Sequence, residues 1–211
     1  MTALAASISP VSESPILEGI SWPTYQTVLR ELESAGKHLR VTYDRGRMVI
    51  LSPLPIHEKW KQLIGRLIEV LAEERNMPIS AYGSTTWQRQ DLARGLEADQ
   101  CYYIQHANAM RGKTEIDLPL DPPPDLAIEI EVTHHLLDRV NIYAALYVPE
   151  VWRYDGHAMR AFRLNGEKYV ETVESAAFPD FHPAELQQFL AMHPASLDSE
   201  IIRAFRQWLG R

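Results

Sequence analysis

The stretch that most constrains this chain is Asp121-Pro-Pro-Pro-Asp-Leu-Ala-Ile-Glu-Ile-Glu-Val132. Three consecutive prolines fix φ and remove three backbone donors, so whatever precedes them ends there. From Asp125 to Val132 the pattern alternates: Leu126, Ile128, Ile130 and Val132 fall on one face of a strand, and Asp125, Glu129 and Glu131 on the other. Four apolar residues on one face predict a strand set against a core. The opposite face carries Glu129 and Glu131, roughly 7 Å apart at a rise of ~3.3 Å per residue. Like charges that close raise each other's pKa and cost stability unless a cation lies between them. The strand is therefore the first candidate for a metal-facing element.

Residues 1–20 are small, polar and punctuated by proline, and are expected to form a loose tail ahead of a single domain over 21–211. Tyr25, Val28, Leu29 and Leu32 predict a helix over 24–34, stopped by Gly36. Two short apolar runs, 38–43 and 48–51, flank the turn Asp44-Arg-Gly-Arg47 and read as a hairpin. From Ile56 to Asn76 the stripe Trp60, Leu63, Ile64, Leu67, Ile68 and Leu71 predicts a long amphipathic helix. Glu58 in its first turn suits the helix dipole, and on sequence alone that reading is favoured over a metal-facing carboxylate. Strands are predicted over 79–89 and 96–104. Asp99 lies inside the second, where its low β-propensity marks an edge or a functional position.

A polar connection follows over 105–124. His134 to Tyr147 predicts a helix burying Leu136, Val140, Tyr143, Ala144 and Tyr147. Asp155-Gly156 and Asn165-Gly166 then divide three β-runs, 150–155, 158–164 and 168–173. Two closing helices are expected over 183–192 and 197–209. This order predicts an α/β fold, a mixed β-sheet flanked by helices, with an N-terminal helix and hairpin.

Several functions lose ground at this stage. Phosphate-binding and dinucleotide-binding glycine loops and the Gly-x-Ser-x-Gly elbow are missing from the sequence. The single cysteine, Cys101, excludes an internal disulfide and fits a reducing compartment. No apolar run approaches the ~20 residues of a membrane helix, so a cytoplasmic location is expected. His134 and His135 lack His-Glu-x-x-His spacing and read as surface residues at a helix start. The net charge of −7 weighs against tight binding to nucleic acid, although divalent cations can neutralise the carboxylates of a nuclease.

Four pieces in order resemble the Uma2 family, restriction-endonuclease-like proteins abundant in cyanobacteria. They are Tyr43-Asp-Arg-Gly-Arg-Met-Val-Ile-Leu-Ser-Pro53 with His57-Glu58; Gly95-Leu-Glu-Ala-Asp-Gln-Cys-Tyr-Tyr-Ile104; Pro123-Pro-Asp-Leu-Ala-Ile-Glu129; and Ile142-Tyr-Ala-Ala-Leu-Tyr-Val-Pro-Glu-Val-Trp-Arg-Tyr-Asp155. The family is similar to the PD-(D/E)xK nucleases. The resemblance therefore implies a restriction-endonuclease-like core that cuts phosphodiesters, with DNA as substrate and Mg²⁺ or Mn²⁺ as cofactor. Hard cations of this kind prefer oxygen ligands.

Carried over by position, Asp99 matches the first acid of the motif, Glu129 the second, and Glu58 the acid on the first long helix. Glu131 stands where the superfamily has a lysine, and it completes an expected metal set of Asp99, Glu129 and Glu131. Arg139 stands where this family has its own lysine. A lysine can lose its proton, whereas arginine stays charged and can only stabilise an anion. The expectation is thus a metal-dependent nuclease using Glu58, Asp99, Glu129 and Arg139. The alternative is a non-catalytic nucleic-acid or protein binding module on the same fold. A third and weaker reading makes the acids a solvated sheet face. Cutting both strands of a duplex would be simplest with a two-fold homodimer.

Overall fold

The computed structural model describes residues 15–37, 39–131 and 137–210. In chain order its elements are α1 (Trp22–Ser34), β1 (Arg40–Asp44), β2 (Arg47–Leu51), α2 (Pro55–Glu74), β3 (Ser80–Ala81), β4 (Thr86–Arg89), β5 (Arg94–Glu97), β6 (Gln100–Tyr103) and β7 (Leu126–Ile130). They continue with α3 (Arg139–Ala145), β8 (Glu150–Tyr154), β9 (Met159–Asn165), β10 (Lys168–Thr172), a 3-10 turn over Pro183–Leu186, α4 (Gln187–Leu190) and α5 (Asp198–Leu209).

The strands form two sheets. One has the order β10-β9-β8-β7-β6-β3, and the other the order β2-β1-β5-β4. Within the larger sheet β7 and β8 are parallel, whereas β8–β9, β9–β10, β6–β7 and β3–β6 are antiparallel. The larger sheet is therefore mixed, as the sequence predicts. A parallel pair needs a crossover between its strands, and α3 lies on that connection.

The proline-led strand is buried on both faces. Leu126, Ile128 and Ile130 join a core with Leu63, Ile64, Leu67 and Ile68 of α2, Trp152 of β8, and Ile201 and Phe205 of α5. Ala127 turns the other way, into a cluster with Tyr103, Ile142, Tyr143, Val148 and Val151. Parallel strands covered on both sides are the usual arrangement in α/β proteins. The acidic face of this strand is thus not open to solvent, since Glu129 is 0% exposed. The third reading fails on that number.

Two of the predicted strands divide between the sheets. The run 79–89 is not one strand: β3 joins the larger sheet and β4 the smaller, with Gly83 at φ +55° between them. The run 96–104 divides in the same way, β5 going to the smaller sheet and β6 to the larger, with Ala98 and Asp99 at the joint. Asp99 is therefore not an interior strand residue, and its poor β-propensity has no ladder to weaken. The predicted tail also shortens. Leu17 exchanges two backbone hydrogen bonds with Met48, at 2.9 and 2.8 Å, and the Ile20 amide donates to Gly46.

The helix predicted from His134 starts at Arg139, where the Asp138 side chain accepts from the Asn141 amide at 3.1 Å. Residues 132–136, with His134 and His135, lie outside the described residues. The helix ends in a Schellman arrangement: the Val148 amide donates to Tyr143 and the Tyr147 amide to Ala144. Tyr147 takes the left-handed position at φ +60° with its ring 60% exposed. A side chain there costs about 1–2 kcal/mol, which glycine avoids. Replacing Tyr147 with glycine is expected to raise stability by about 1 kcal/mol, read as a higher urea midpoint with unchanged slope. A lower midpoint would contradict the strain.

Candidate functional site

Asp99, Glu129, Glu58 and Arg139 come together where the two sheets meet. β6 pairs with β7, Gln100 opposite Ile128, and Asp99, one residue ahead of β6, reaches the Ile130 amide at the end of β7. β1 of the smaller sheet borders the same place. Its alternation directs Arg40 and Thr42 to one side, and both are buried. α2 brings His57, Glu58 and Lys61 on its first turns, and α3 brings Arg139 and Tyr143 four residues apart on one helix face.

Glu129 is held by α3. Arg139 Nε donates to Oε2 at 2.7 Å and Nη2 to Oε1 at 2.8 Å, a bidentate pair. The Tyr143 hydroxyl also donates to Oε1. The same guanidinium reaches across to the smaller sheet, Nη1 donating to Thr42 Oγ1 at 2.7 Å and Nη2 to the Glu97 carbonyl at 2.6 Å. Burial pulls the Arg139 pKa down, but the charge of Glu129, Tyr143 and the hydrogen bonds to both together outweigh it and hold the guanidinium above its usual range. Burial first, then Glu129, pushes the Tyr143 hydroxyl up, so it stays a donor.

Asp99 is held by a second arginine. Arg40 Nη1 donates to Asp99 Oδ1, and the Ile130 amide donates to Oδ2 at 2.6 Å. His57 Nε2 lies 3.0 Å from Oδ2 and 2.8 Å from Arg40 Nη1. Arg40 Nη2 also pairs with Glu58 Oε1 at 3.0 Å. Burial lowers the Arg40 pKa, opposed by Glu58 and Glu129.

The cluster borders a cleft of about 940 Å³, which Arg40, Glu58, Lys61 and Glu97 line together with residues of α1. Lys61 hydrogen-bonds the Ser84 hydroxyl and sits 3.5 Å from Glu58 Oε2. Burial raises the Glu97 carboxyl pKa, against the pull of Arg40, Lys61 and Arg139. Basic lining residues are Arg30, Lys37, Arg40 and Lys61, and acidic ones Glu33, Glu58 and Glu97. The cleft wall thus carries a slight basic excess in a chain of net charge −7. Asp99 and Glu129 lie behind that wall.

Glu131 goes elsewhere: its carboxylate pairs with Arg153 of β8. The structure thus joins Asp99 with Glu58 through Arg40, and Glu129 with Arg139. Sequence reasoning missed Arg40, His57, Lys61 and Glu97. Arg40 alternates with Val41 in β1, and only the burial of both faces of that strand reveals that it points inward.

The donor set decides how a divalent cation would fit. Each oxygen of Asp99 and Glu129 already accepts from at least one donor, and two arginines supply the positive charge. Among the described residues no three His, Cys, Asp or Glu side chains form a cation-binding group. In this arrangement the acids do not accommodate the ion. No helix among the described residues is long and apolar enough to cross a membrane.

Residues 24–193 match the model of the Uma2 family, described as "Putative restriction endonuclease". A solved structure from Anabaena variabilis ATCC 29413, described as a "putative nuclease", is similar at 11% identity and a TM-score of 0.43, covering 80% of this chain and 90% of that one. No curated protein matches the chain.

Proposed function

Since the chain belongs to the Uma2 family, we propose that it is a nuclease that hydrolyses phosphodiester bonds in DNA with Mg²⁺ or Mn²⁺, an ion that the acids in their present pairing with arginine do not hold. The observation that carries this reading is the buried pairing of Asp99 and Glu129, each with its own arginine, behind a cleft walled by Arg40, Glu58 and Lys61. Desolvating two carboxylates and two guanidiniums costs several kcal/mol per ion before any attraction is counted. A core does not need that expense where apolar residues of the same volume would serve.

Roles follow from position. Arg40 and Lys61 face the cleft, where a phosphate would lie, and supply charge to it. Glu58 stands at the rim on α2, with its side chain 41% exposed. Asp99 and Glu129 are the acids of the cluster. Arg139 is a positioning residue that fixes Glu129, and as an arginine it does not take a proton from water. Glu131, paired with Arg153, stands apart from this set.

Supercoiled plasmid incubated with the protein tests the reading. Nicked circles are expected with Mn²⁺ or Mg²⁺ and none with EDTA. A single chain cuts one strand, and linear product would point to a two-fold dimer. The second reading, a binding module without catalysis, is favoured by the occupation of both acids by arginine. Retarded DNA in a gel shift, with no nicking in any ion, would establish it in place of the first.

A further inference from the structure

We propose that a row of arginines at the far end of the smaller sheet is a second phosphate site, which holds the DNA backbone outside the cleft. The choice of DNA rests on the nuclease reading above, and the test of the site does not depend on cleavage. In the smaller sheet Arg47 of β2 stands opposite Asp44 of β1, Asp44 opposite Arg94 of β5, and Arg94 opposite Arg89 of β4. Directly opposed residues share a face, so one row of side chains, Arg-Asp-Arg-Arg, crosses all four strands at a spacing of ~4.8 Å. The turn Asp44-Arg-Gly-Arg47 closes the hairpin and also supplies two arginines. Arg45, at φ +49°, donates its amide to the Ala93 carbonyl at 2.8 Å, which ties the turn to the residue before Arg94.

Among the described residues one carboxylate serves three of these guanidiniums. Arg47 Nη2 donates to Asp44 Oδ2 at 3.0 Å, Arg94 Nε donates to Oδ1 at 2.9 Å, and Arg45 Nε lies 3.5 Å from Oδ1. All four residues line a cavity of about 350 Å³ with Asp138 and Asn141. Asp138 accepts from the backbone and side-chain amides of Asn141, not from an arginine. Arg89 has its own partner in Asp91. Each guanidinium has about five N–H donors, so most of those on Arg45, Arg47 and Arg94 are left for a ligand. Like charges directly opposite each other, as Arg89 and Arg94 are, cost stability, and an anion over the row relieves that. Planar guanidinium forks match the oxygens of a phosphate. Arg40 and Asp44 lie on the same side of β1, ~13 Å apart at ~3.3 Å per residue, with Thr42 and its partner Arg139 between them. A duplex rises ~3.4 Å per step along each strand, so about four steps span the distance, and DNA held at the row stays within reach of the cleft.

Fluorescence anisotropy of a short labelled DNA duplex, titrated with the full chain in EDTA over a range of salt, tests this. Arg45→Gln with Arg47→Gln is expected to bind on the order of tenfold more weakly than wild type, and to lower the slope of log affinity against log salt by about 1–2. The two side chains are 67% and 47% exposed, and Arg94 still holds Asp44, so the fold survives the change. Arg45→Gln alone, in the turn and outside the strands, should lower the slope by about 1. The control, Arg163→Gln with Arg203→Gln, removes the same charge from exposed positions on β9 and α5 and should stay near wild type.

Equal affinity and slope in the row variant and the control overturn the proposal, as does a wild type that binds no duplex at low salt. Inorganic phosphate separates the two sources of the anion. If it raises the melting temperature of the wild type but not of the row variant, while both bind DNA alike, the row takes a free phosphate and its assignment to the DNA backbone falls. Weaker DNA binding by the row variant, without nicking by either protein in any ion, would sink the nuclease reading and leave the site standing. Nicking by both proteins at one rate, with equal affinity for DNA, would do the reverse.

Discussion

Replacing Arg139 with methionine lowers the stability of the protein by about 3–5 kcal/mol. Arg139 and Glu129 are both buried, at 4% and 0% exposure, so the variant leaves a carboxylate in the interior without its bidentate partner. Thr42 and the Glu97 carbonyl each lose a donor in the same step. The Tyr143 hydroxyl remains on Glu129, but one neutral donor does not replace a guanidinium. For a chain of this length the loss corresponds to a melting temperature lower by roughly 10 °C.

The double variant Arg139→Met with Glu129→Leu should recover much of the loss, because it removes the stranded charge as well. Arg139→Lys should not be neutral, since an ammonium cannot reach Glu129, Thr42 and the Glu97 carbonyl at once. Urea denaturation of the three variants checks this. A loss below about 1 kcal/mol in Arg139→Met would mean that the pair is far more solvated than its burial indicates.

The second large effect is on cleavage. Asp99→Asn is expected to reduce plasmid nicking by about 100-fold or more, the scale of loss when a preorganised electrostatic group is removed from a site. The substitution keeps size and shape. It removes the charge opposite Arg40, and it sets an amide donor against either Arg40 or the Ile130 amide, both of which are donors. Arg40 keeps Glu58 as a partner, so the fold should survive. Far-ultraviolet circular dichroism separates loss of function from loss of fold.

Much of this arrangement was legible in the residues. The stripe from Trp60 to Leu71 gave the helix that packs against the central strand, and Asp155-Gly156 and Asn165-Gly166 marked the turns between the last three strands. The alternation of Leu126, Ile128 and Ile130 identified a core-facing side correctly. It misassigned the acidic side as a pair, because alternation places Glu129 and Glu131 on one face while the strand ends at Ile130 and Arg153 draws Glu131 away. Chemistry within one strand could not reveal that the partner of Glu129 comes from α3.

The division into two sheets was not legible, for a physical reason. Local propensity does not record which neighbour a strand will pair with. Asp99, which strands disfavour, stands at the joint. Arg40 escaped notice for a related reason: within a hairpin, a charged residue reads as an outward position. Here the second face of the hairpin strand is covered by the larger sheet and by α2, so the same residue lands in the acid cluster.

The central claim is that the joint between the sheets is the catalytic centre of a nuclease. Its most direct test is the single-turnover rate of plasmid nicking in Mn²⁺, compared between wild type and Asp99→Asn at equal folded concentration. The wild type is expected to nick and the variant to be nearly inert. Equal rates for the two proteins would contradict it.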